Sequence, residues 1–300
     1  MAPILLFVYK RPEHTLRTLT ALSANEGAED CDLIVFCDGP RDEKDIGPVN
    51  AVRELVSRAQ GFRSVKIIQR QQNFGLAKSI ISGVSETMRW CEEAIILEDD
   101  LVTSRFFLRY MNDALDRYRD DKRVASIHGY VPPVSKELPE TFFIRGADCW
   151  GWATWRRGWE LFNPDGLSLL QELEKRELSH EFDFGGANPF TQMLRDQIAG
   201  KNDSWAIRWY ASAFLAGSVT LYPGQSLVEN IGFDGSGTHC RSSTGFHSRL
   251  KDTPVNVCRI PVSDCNVARE AIARFFRGES SVSQPPGILS RVLRRLGVIW

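Results

Sequence analysis

Pro3-Ile4-Leu5-Leu6-Phe7-Val8-Tyr9 is an unbroken apolar run of strand length, and the segment from Thr15 to Leu22 follows it with Leu16, Leu19 and Leu22 at helical spacing. The unit then repeats. Asp32 to Cys37 ends in Asp38-Gly39-Pro40, and Val49, Val52, Leu55, Val56 and Ala59 follow at a helical period. Val65 to Ile68 precedes Gly75 to Met88, whose Leu76, Ile80, Val84 and Met88 share a face, and Ala94 to Leu97 is a fourth short apolar run. Strands apolar on both faces that alternate with amphipathic helices predict an α/β fold, a mostly parallel sheet flanked by helices. In such sheets ligands collect at the carboxyl ends of the strands.

Past residue 104 the alternation fades. Phe106, Tyr110, Ala114 and Tyr118 mark one more amphipathic helix and Val124 to Ile127 one more strand, while residues 128 to 240 are rich in Pro, Gly and Trp, a composition suited to shaped loops lining a pocket. The expected organisation is a nucleotide-binding half over 1–104, a second half of the same domain over 105–240 whose loops shape the rest of the pocket, an extension over 241–278, and a linker with a tail helix over 279–300. Residues 285 to 300 carry Ile288, Leu289, Val292, Leu293, Leu296, Val298, Ile299 and Trp300 with Arg291, Arg294 and Arg295 and no acid, which fits either an interfacial helix on an anionic membrane or a helix docked on protein.

Composition excludes several classes. Lys plus Arg total 37 against 38 Asp plus Glu, a formal charge of -1, so the broad cationic field of a nucleic-acid binder is missing. The 7 cysteines form no C-x-x-C pair, which argues against a zinc site or a disulfide framework and for free thiols in a reducing compartment. No run approaches the ~20 residues of a membrane span, and the first apolar run lacks a basic leader, so a cytoplasmic protein is expected, with the tail at 285–300 contacting either a membrane or protein.

The chemistry gathers at strand ends. Glu98-Asp99-Asp100 closes the fourth run, and three adjacent carboxylates repel unless a cation offsets them; hard oxygen ligands there suit Mg²⁺ or Mn²⁺. An equally simple role for Asp99 or Asp100 is to cap a helix beginning near Ser104. Tyr9-Lys10-Arg11-Pro12, Asp38-Gly39 and Asn73-Phe74-Gly75-Leu76-Ala77-Lys78 follow the other strands, and each alone reads as a turn or a helix entry. Together, a base pocket from Arg11 and Asp38, a helix N-terminus at Gly75 and a metal at Asp100 would hold a nucleoside diphosphate.

These motifs, Arg-Pro-Glu-His after the first strand, Phe-Cys-Asp-Gly, Asn-Phe-Gly-Leu-Ala, and Leu-Glu-Asp-Asp-Leu with a downstream Phe-Phe-x-Tyr, resemble those of the GT-A glycosyltransferases, and are most similar to the N-acetylglucosaminyltransferase I type and its bacterial relatives, over residues 3 to 240. The resemblance implies a Rossmann-like GT-A sheet and a nucleotide-sugar transfer. It also implies that Asp100 binds the metal, that Asp99 contacts the ribose, that Glu98 supports the site, and that Asp38 and Arg11 hold uracil, with Tyr9, Asn73, Gly75 and Lys78 completing the donor pocket.

For the acceptor side, Trp150, Gly151, Trp152 and Trp205 are candidate sugar-pocket residues, because aromatic faces beside polar edges suit sugar rings; Trp155 and Trp159, at i and i+4, read as one core-facing helix face. By the resemblance, Gly151-Trp152 belongs to the loop near the donor sugar. An inverting transfer needs a carboxylate to take the acceptor proton. Asp203, in a segment similar to the family's Trp-Asp-Asp-Trp but with Asn202 in place of an acid, is the candidate base; its alternative role is a helix N-cap, and Asp148, Asp183 and Asp196 are rivals. Residues 229 to 239 read as a glycine-rich loop closing over the donor, in which the resemblance makes His239 a second metal ligand. The expected partners are a nucleotide-sugar donor, most simply a UDP-sugar, and a glycan or lipid-linked acceptor. A sugar-binding scaffold without catalysis and a nucleotidyltransferase are the competing readings.

Overall fold

The computed structural model describes residues 1–234 and 245–279. His239 and the expected tail helix at 285–300 therefore lie outside the described residues. The chain opens with β1 (Ile4–Val8), α1 (Pro12–Ser23), β2 (Asp32–Cys37), α2 (Glu43–Ser57), β3 (Ser64–Gln69), α3 (Leu76–Thr87) and β4 (Glu93–Glu98), which is the alternation read from the sequence. A short β5 (Leu101–Thr103) precedes α4 (Phe107–Arg117) and β6 (Val124–His128).

The stretch expected to be loops is instead built of regular elements. It holds β7 (Thr141–Arg145), β8 (Trp152–Trp155), α5 (Arg156–Trp159), α6 (Gly166–Lys175), α7 (Ser179–Phe182), α8 (Phe190–Ile198), α9 (Trp205–Leu215), β9 (Val219–Pro223) and β10 (Val228–Asn230), and α10 (Asn266–Phe276) follows. Trp155 ends a strand and Trp159 lies in the next helix, so the two share no helix face although both are buried. Glu229 and Asn230 pair in a strand with β5 rather than forming a free loop.

One 8-stranded sheet, in the order β3-β2-β1-β4-β8-β6-β9-β7, runs through the whole molecule. β1 to β4, β6 and β9 point one way, and β8 and β7 run against them. The central strands are buried on both faces, which is why they read as continuous apolar runs. β3 is the edge strand and is half-exposed, so its apolar pattern is weaker. In α1, Leu19 and Leu22 face the sheet while Leu16 is 52% exposed; in α3, Ile80 and Val84 are buried and Leu76, at the first turn, lies at the rim. Pro12 starts α1 with its fixed φ and its missing N–H, both suited to a helix's first position.

A second core packs on the far half of the sheet, where Phe142 and Ile144 of β7 meet Leu173, Phe182, Phe190, Tyr210 and Phe214 beneath Ile272 of α10. Side chains of this size contribute about 1.5–3 kcal/mol each when fully buried. The fold thus anchors the returning strands β8, β6 and β9 rigidly beside β4. No described helix is long and apolar enough to cross a membrane.

Candidate active site

After β1 the chain goes to β2 and β3 on one side, whereas β4 lies on the other side of β1. The order reverses between β1 and β4, and at such a switch point the loops leaving the two strands diverge and open a crevice. Phe7 is the register partner of Glu98, so the residues just after them, Tyr9 to Arg11 and Asp99 to Asp100, face each other across that crevice.

Arg11 spans it. Its Nη2 donates to Asp99 Oδ1 at 2.5 Å and to Asp100 Oδ2 at 2.8 Å. Tyr9 N–H donates to Asp99 Oδ2 at 3.3 Å, and Thr18 Oγ1 to the Asp99 carbonyl at 2.8 Å. Burial by itself would lower the Arg11 pKa, but the charges of Asp99 and Asp100 outweigh it and hold the guanidinium above its usual range. Burial pushes the Asp99 carboxyl up, against the pull of Arg11. The Glu98 carboxyl is pushed up to about 8 by burial and by repulsion from Asp100 and Asp99. The expectation that Arg11 holds a base is corrected here: its guanidinium is engaged by the carboxylates of Asp99 and Asp100, whose charge it partly offsets.

The segment after β10 roofs Asp100. Ile231 N–H donates to the Asp100 carbonyl at 2.9 Å, and Gly232 N–H to Asn230 Oδ1 at 2.8 Å. A Cβ at position 232 would stand 2.3 Å from Asp100 Oδ2, so only glycine lets the backbone approach. His14 Nε2, in the first turn of α1, lies 3.1 Å from Asp234 Oδ2 and ties the roof to α1. The sequence signal was Asn230-Ile-Gly232; its meaning depended on β5 pairing with β10.

Asp38 does not offer its carboxylate to a base. Its oxygens accept from Gly39 N–H at 2.9 Å, Phe74 N–H at 2.9 Å, Gly75 N–H at 3.0 Å and Asn73 Nδ2 at 3.1 Å, which fills the lone pairs of a carboxylate and clamps the β3 to α3 loop. Asn73 and Gly75 therefore belong to that clamp. Lys78 Nζ sits 4.3 Å from the Phe74 ring centre. Lys10 pairs with Asp45 at 2.7 Å, and Tyr9 Oη also donates to Asp45.

The tryptophans divide. Trp152 is fully buried in β8 and packs against Trp205 at 5.6 Å, Trp209 at 5.7 Å and Trp159 at 5.8 Å between ring centres, so Trp152 and Trp205 are core residues with no face left for a sugar. That corrects the expectation for both. Gly151 adopts φ 67, its carbonyl accepts from Gly129 N–H at 2.8 Å, and a Cβ there would meet Val228 at 2.7 Å. Trp150 is nearly buried but lines a cavity of about 40 Å³ together with Tyr130, Asp148, Tyr210, Tyr222 and Phe246.

Asp148, a rival base candidate from the sequence, borders this cavity within a buried cluster. Tyr222 Oη donates to Asp148 Oδ2 at 3.3 Å, and His128 Nε2 lies 3.3 Å from the same oxygen. Burial pushes the Asp148 carboxyl well up and the His128 imidazole well down, disfavouring the charged form of each.

Ser204, not Asp203, caps α9, accepting from Ile207 N–H at 3.2 Å. Asp203 is exposed and lies 3.3 Å from Arg208 Nη2. The packing of Trp205 on Trp152, whose register partner is Ile96, ties the first turn of α9 to β4 two residues before Glu98. Of the rivals, Asp183 is held by Thr191 and Asp196 by Lys201.

No family model matches the chain, and no curated protein matches it. Among solved structures it is similar to TarS 1–349 of S. aureus, at 11% identity over 58% of this chain and 49% of that one, with a TM-score of 0.34. It is also similar to the mannosyltransferase PcManGT from Pyrobaculum calidifontis in complex with GDP-Man and Mn²⁺, at 14% identity over 72% of this chain and 70% of that one, TM-score 0.40. A third likeness is glucosyl-3-phosphoglycerate synthase from Mycobacterium tuberculosis in complex with Mn²⁺, UDP and glucosyl-3-phosphoglycerate, at 12% identity over 59% and 67% of the two chains, TM-score 0.32. The chain spans about half the length of TarS 1–349 and 33% of the longer TarS structure.

Proposed function

We propose that this chain is a GT-A-type glycosyltransferase that moves a hexosyl or N-acetylhexosaminyl group from a nucleoside diphosphate, most simply UDP, to a hydroxyl of a glycan or lipid-linked saccharide, with inversion. The observation that carries the reading is the meeting of Glu98, Asp99, Asp100 and Arg11 at the β1/β4 switch point, where α/β sheets bind nucleotides.

A divalent ion, Mn²⁺ or Mg²⁺, fits the chemistry of this donor set. Asp99 and Asp100 offer hard carboxylate oxygens at the crevice, and among the described residues the Glu98 carboxyl beside them makes no hydrogen bond or ion pair. No three described His, Cys, Asp or Glu side chains form a complete ligand set, so Asp100 would hold the ion with help from substrate phosphates, as Mg²⁺ sites with one or two carboxylates do. When bound, the ion offsets charge on the departing diphosphate.

The protein's own residues do the rest. Asp99 and Arg11 orient the ribose and phosphates at the crevice, and the roof at Asn230 to Gly232 excludes water from the leaving group. Asp203 accepts the proton of the acceptor hydroxyl as its oxygen bonds to the anomeric carbon and the bond to the diphosphate breaks, its electron pair leaving with the diphosphate. Residues 285–300 would hold the enzyme at a membrane bearing its acceptor. A screen of nucleotide sugars for hydrolysis or transfer with Mn²⁺ tests the reading. Release of UDP or GDP that is lost in Asp100→Ala supports it; pyrophosphate release from a nucleoside triphosphate, or sugar binding with no nucleotide affinity, contradicts it.

A further inference from the structure

We infer that Arg11 is the resident counter-cation of the acidic crevice, and that a divalent ion is admitted only together with a nucleoside diphosphate. The inference rests on the proposal that Asp100 seats that ion.

One guanidinium nitrogen serves both aspartates, at 2.5 and 2.8 Å. The Arg11 side chain is 20% exposed, Asp99 6% and Asp100 12%, so the pair is shielded from water and poorly screened by salt. A guanidinium cannot lose its charge by giving up a proton, so only movement removes it. An ion about 2.1 Å from an Asp100 oxygen would share that carboxylate with the guanidinium already on Oδ2, and two cations on one shielded carboxylate repel strongly.

A diphosphate reverses the balance. It brings negative charge to the crevice mouth, gives the ion its missing ligands, and offers the guanidinium the bidentate phosphate contact that arginine makes well. Arg11 has one route for that exchange. Its backbone is fixed by Pro12 and by Thr15 Oγ1 donating to the Arg11 carbonyl at 2.8 Å, so the exchange would be a turn of the side chain, which is 20% exposed, away from the aspartates. Without nucleotide, Arg11 offsets one of the two negative charges of the buried aspartates; with nucleotide, it vacates Asp100 for the ion.

The test is a Mn²⁺ titration read by the EPR signal of the free ion, with and without UDP, on the wild type, Arg11→Met and Arg11→Lys. The wild type should bind Mn²⁺ at least about tenfold more tightly with UDP than without it, a coupling of ordinary size between two ligands. Arg11→Met should bind Mn²⁺ without UDP at least about tenfold more tightly than the wild type, Arg11→Lys should resemble the wild type, and Asp100→Asn in the Arg11→Met background should abolish the gain. Mn²⁺ alone should also raise the melting temperature of Arg11→Met and not that of the wild type. Should Arg11→Met fail to fold, the wild-type coupling still decides. Equal Mn²⁺ affinity in wild type with and without UDP, or in wild type and Arg11→Met without UDP, overturns the role of Arg11 while leaving the metal seat intact. No Mn²⁺ binding by any variant with UDP overturns the proposed seat itself.

Discussion

A carboxylate that removes a proton from a bound hydroxyl must reach the acceptor without holding the donor, and Asp203 stands apart from the triplet, exposed, beside Arg208. Asp203→Asn is therefore expected to keep UDP affinity within about twofold and to lose about 10²- to 10⁴-fold in transfer rate, the usual contribution of a positioned base. Titration and a transfer assay on one preparation check this, and near-normal transfer removes Asp203 from the mechanism. Asp148 makes a separate prediction. Its folded pKa is raised by burial, so above pH about 4 the folded chain keeps a proton that the unfolded chain releases, and stability falls as pH rises through that window. His128, held low, acts in the opposite sense, losing stability as pH falls below about 6.5. Asp148→Asn should make the slope of stability against pH less negative above pH about 4; an unchanged slope in denaturant titrations contradicts the burial argument. The sequence distinguishes residue types but not their partners. Asp38 and Arg11 both looked like base-binding groups, yet Asp38 is consumed by four donors, three of them 35 to 37 residues away, and Arg11 by carboxylates 88 and 89 residues away.

Among the elements, β5 and β10 decide how tightly the crevice is roofed. Any side chain at position 232 must displace Asp100 or the roof, because the backbone is already in contact. Gly232→Ala is expected to cost about 1–3 kcal/mol of stability as an overpacked contact and to weaken UDP binding in the presence of Mn²⁺ by about tenfold or more. Unchanged affinity by calorimetry would place the roof away from the nucleotide. The strands β1, β2 and β4 were legible because burial on both faces leaves an unbroken apolar run. β8 was not: Trp152-Ala-Thr-Trp155 is followed at once by a helical turn, its Trp155 and Trp159 spacing mimics a helix, and its strand character comes from pairing with β4 and β6 far along the chain. The boundary at α9 shifted by one residue for a local reason, since Asp203 and Ser204 are both good caps and the chain uses the hydroxyl.

At the scale of the whole molecule, the chain is nearly neutral and places its buried acidic triplet, with Arg11, at the switch point of the sheet. The formal charge is -1, with 37 basic and 38 acidic residues, so the expected attraction is local, to a small anion bound with a cation, and not to an extended polyanion. The eight-stranded sheet supplies that place by reversing its strand order between β1 and β4 and by carrying β8, β6 and β9 on past β4, so one sheet links both halves of the chain beside the crevice. Calorimetric titration of the full chain with UDP, in Mn²⁺ and then in EDTA, tests the central claim most directly. Micromolar-range UDP binding that weakens about tenfold or more without the ion, and is lost in Asp100→Ala, is the expected result; UDP affinity indifferent to Mn²⁺ and to Asp100, or no affinity at all, would contradict it.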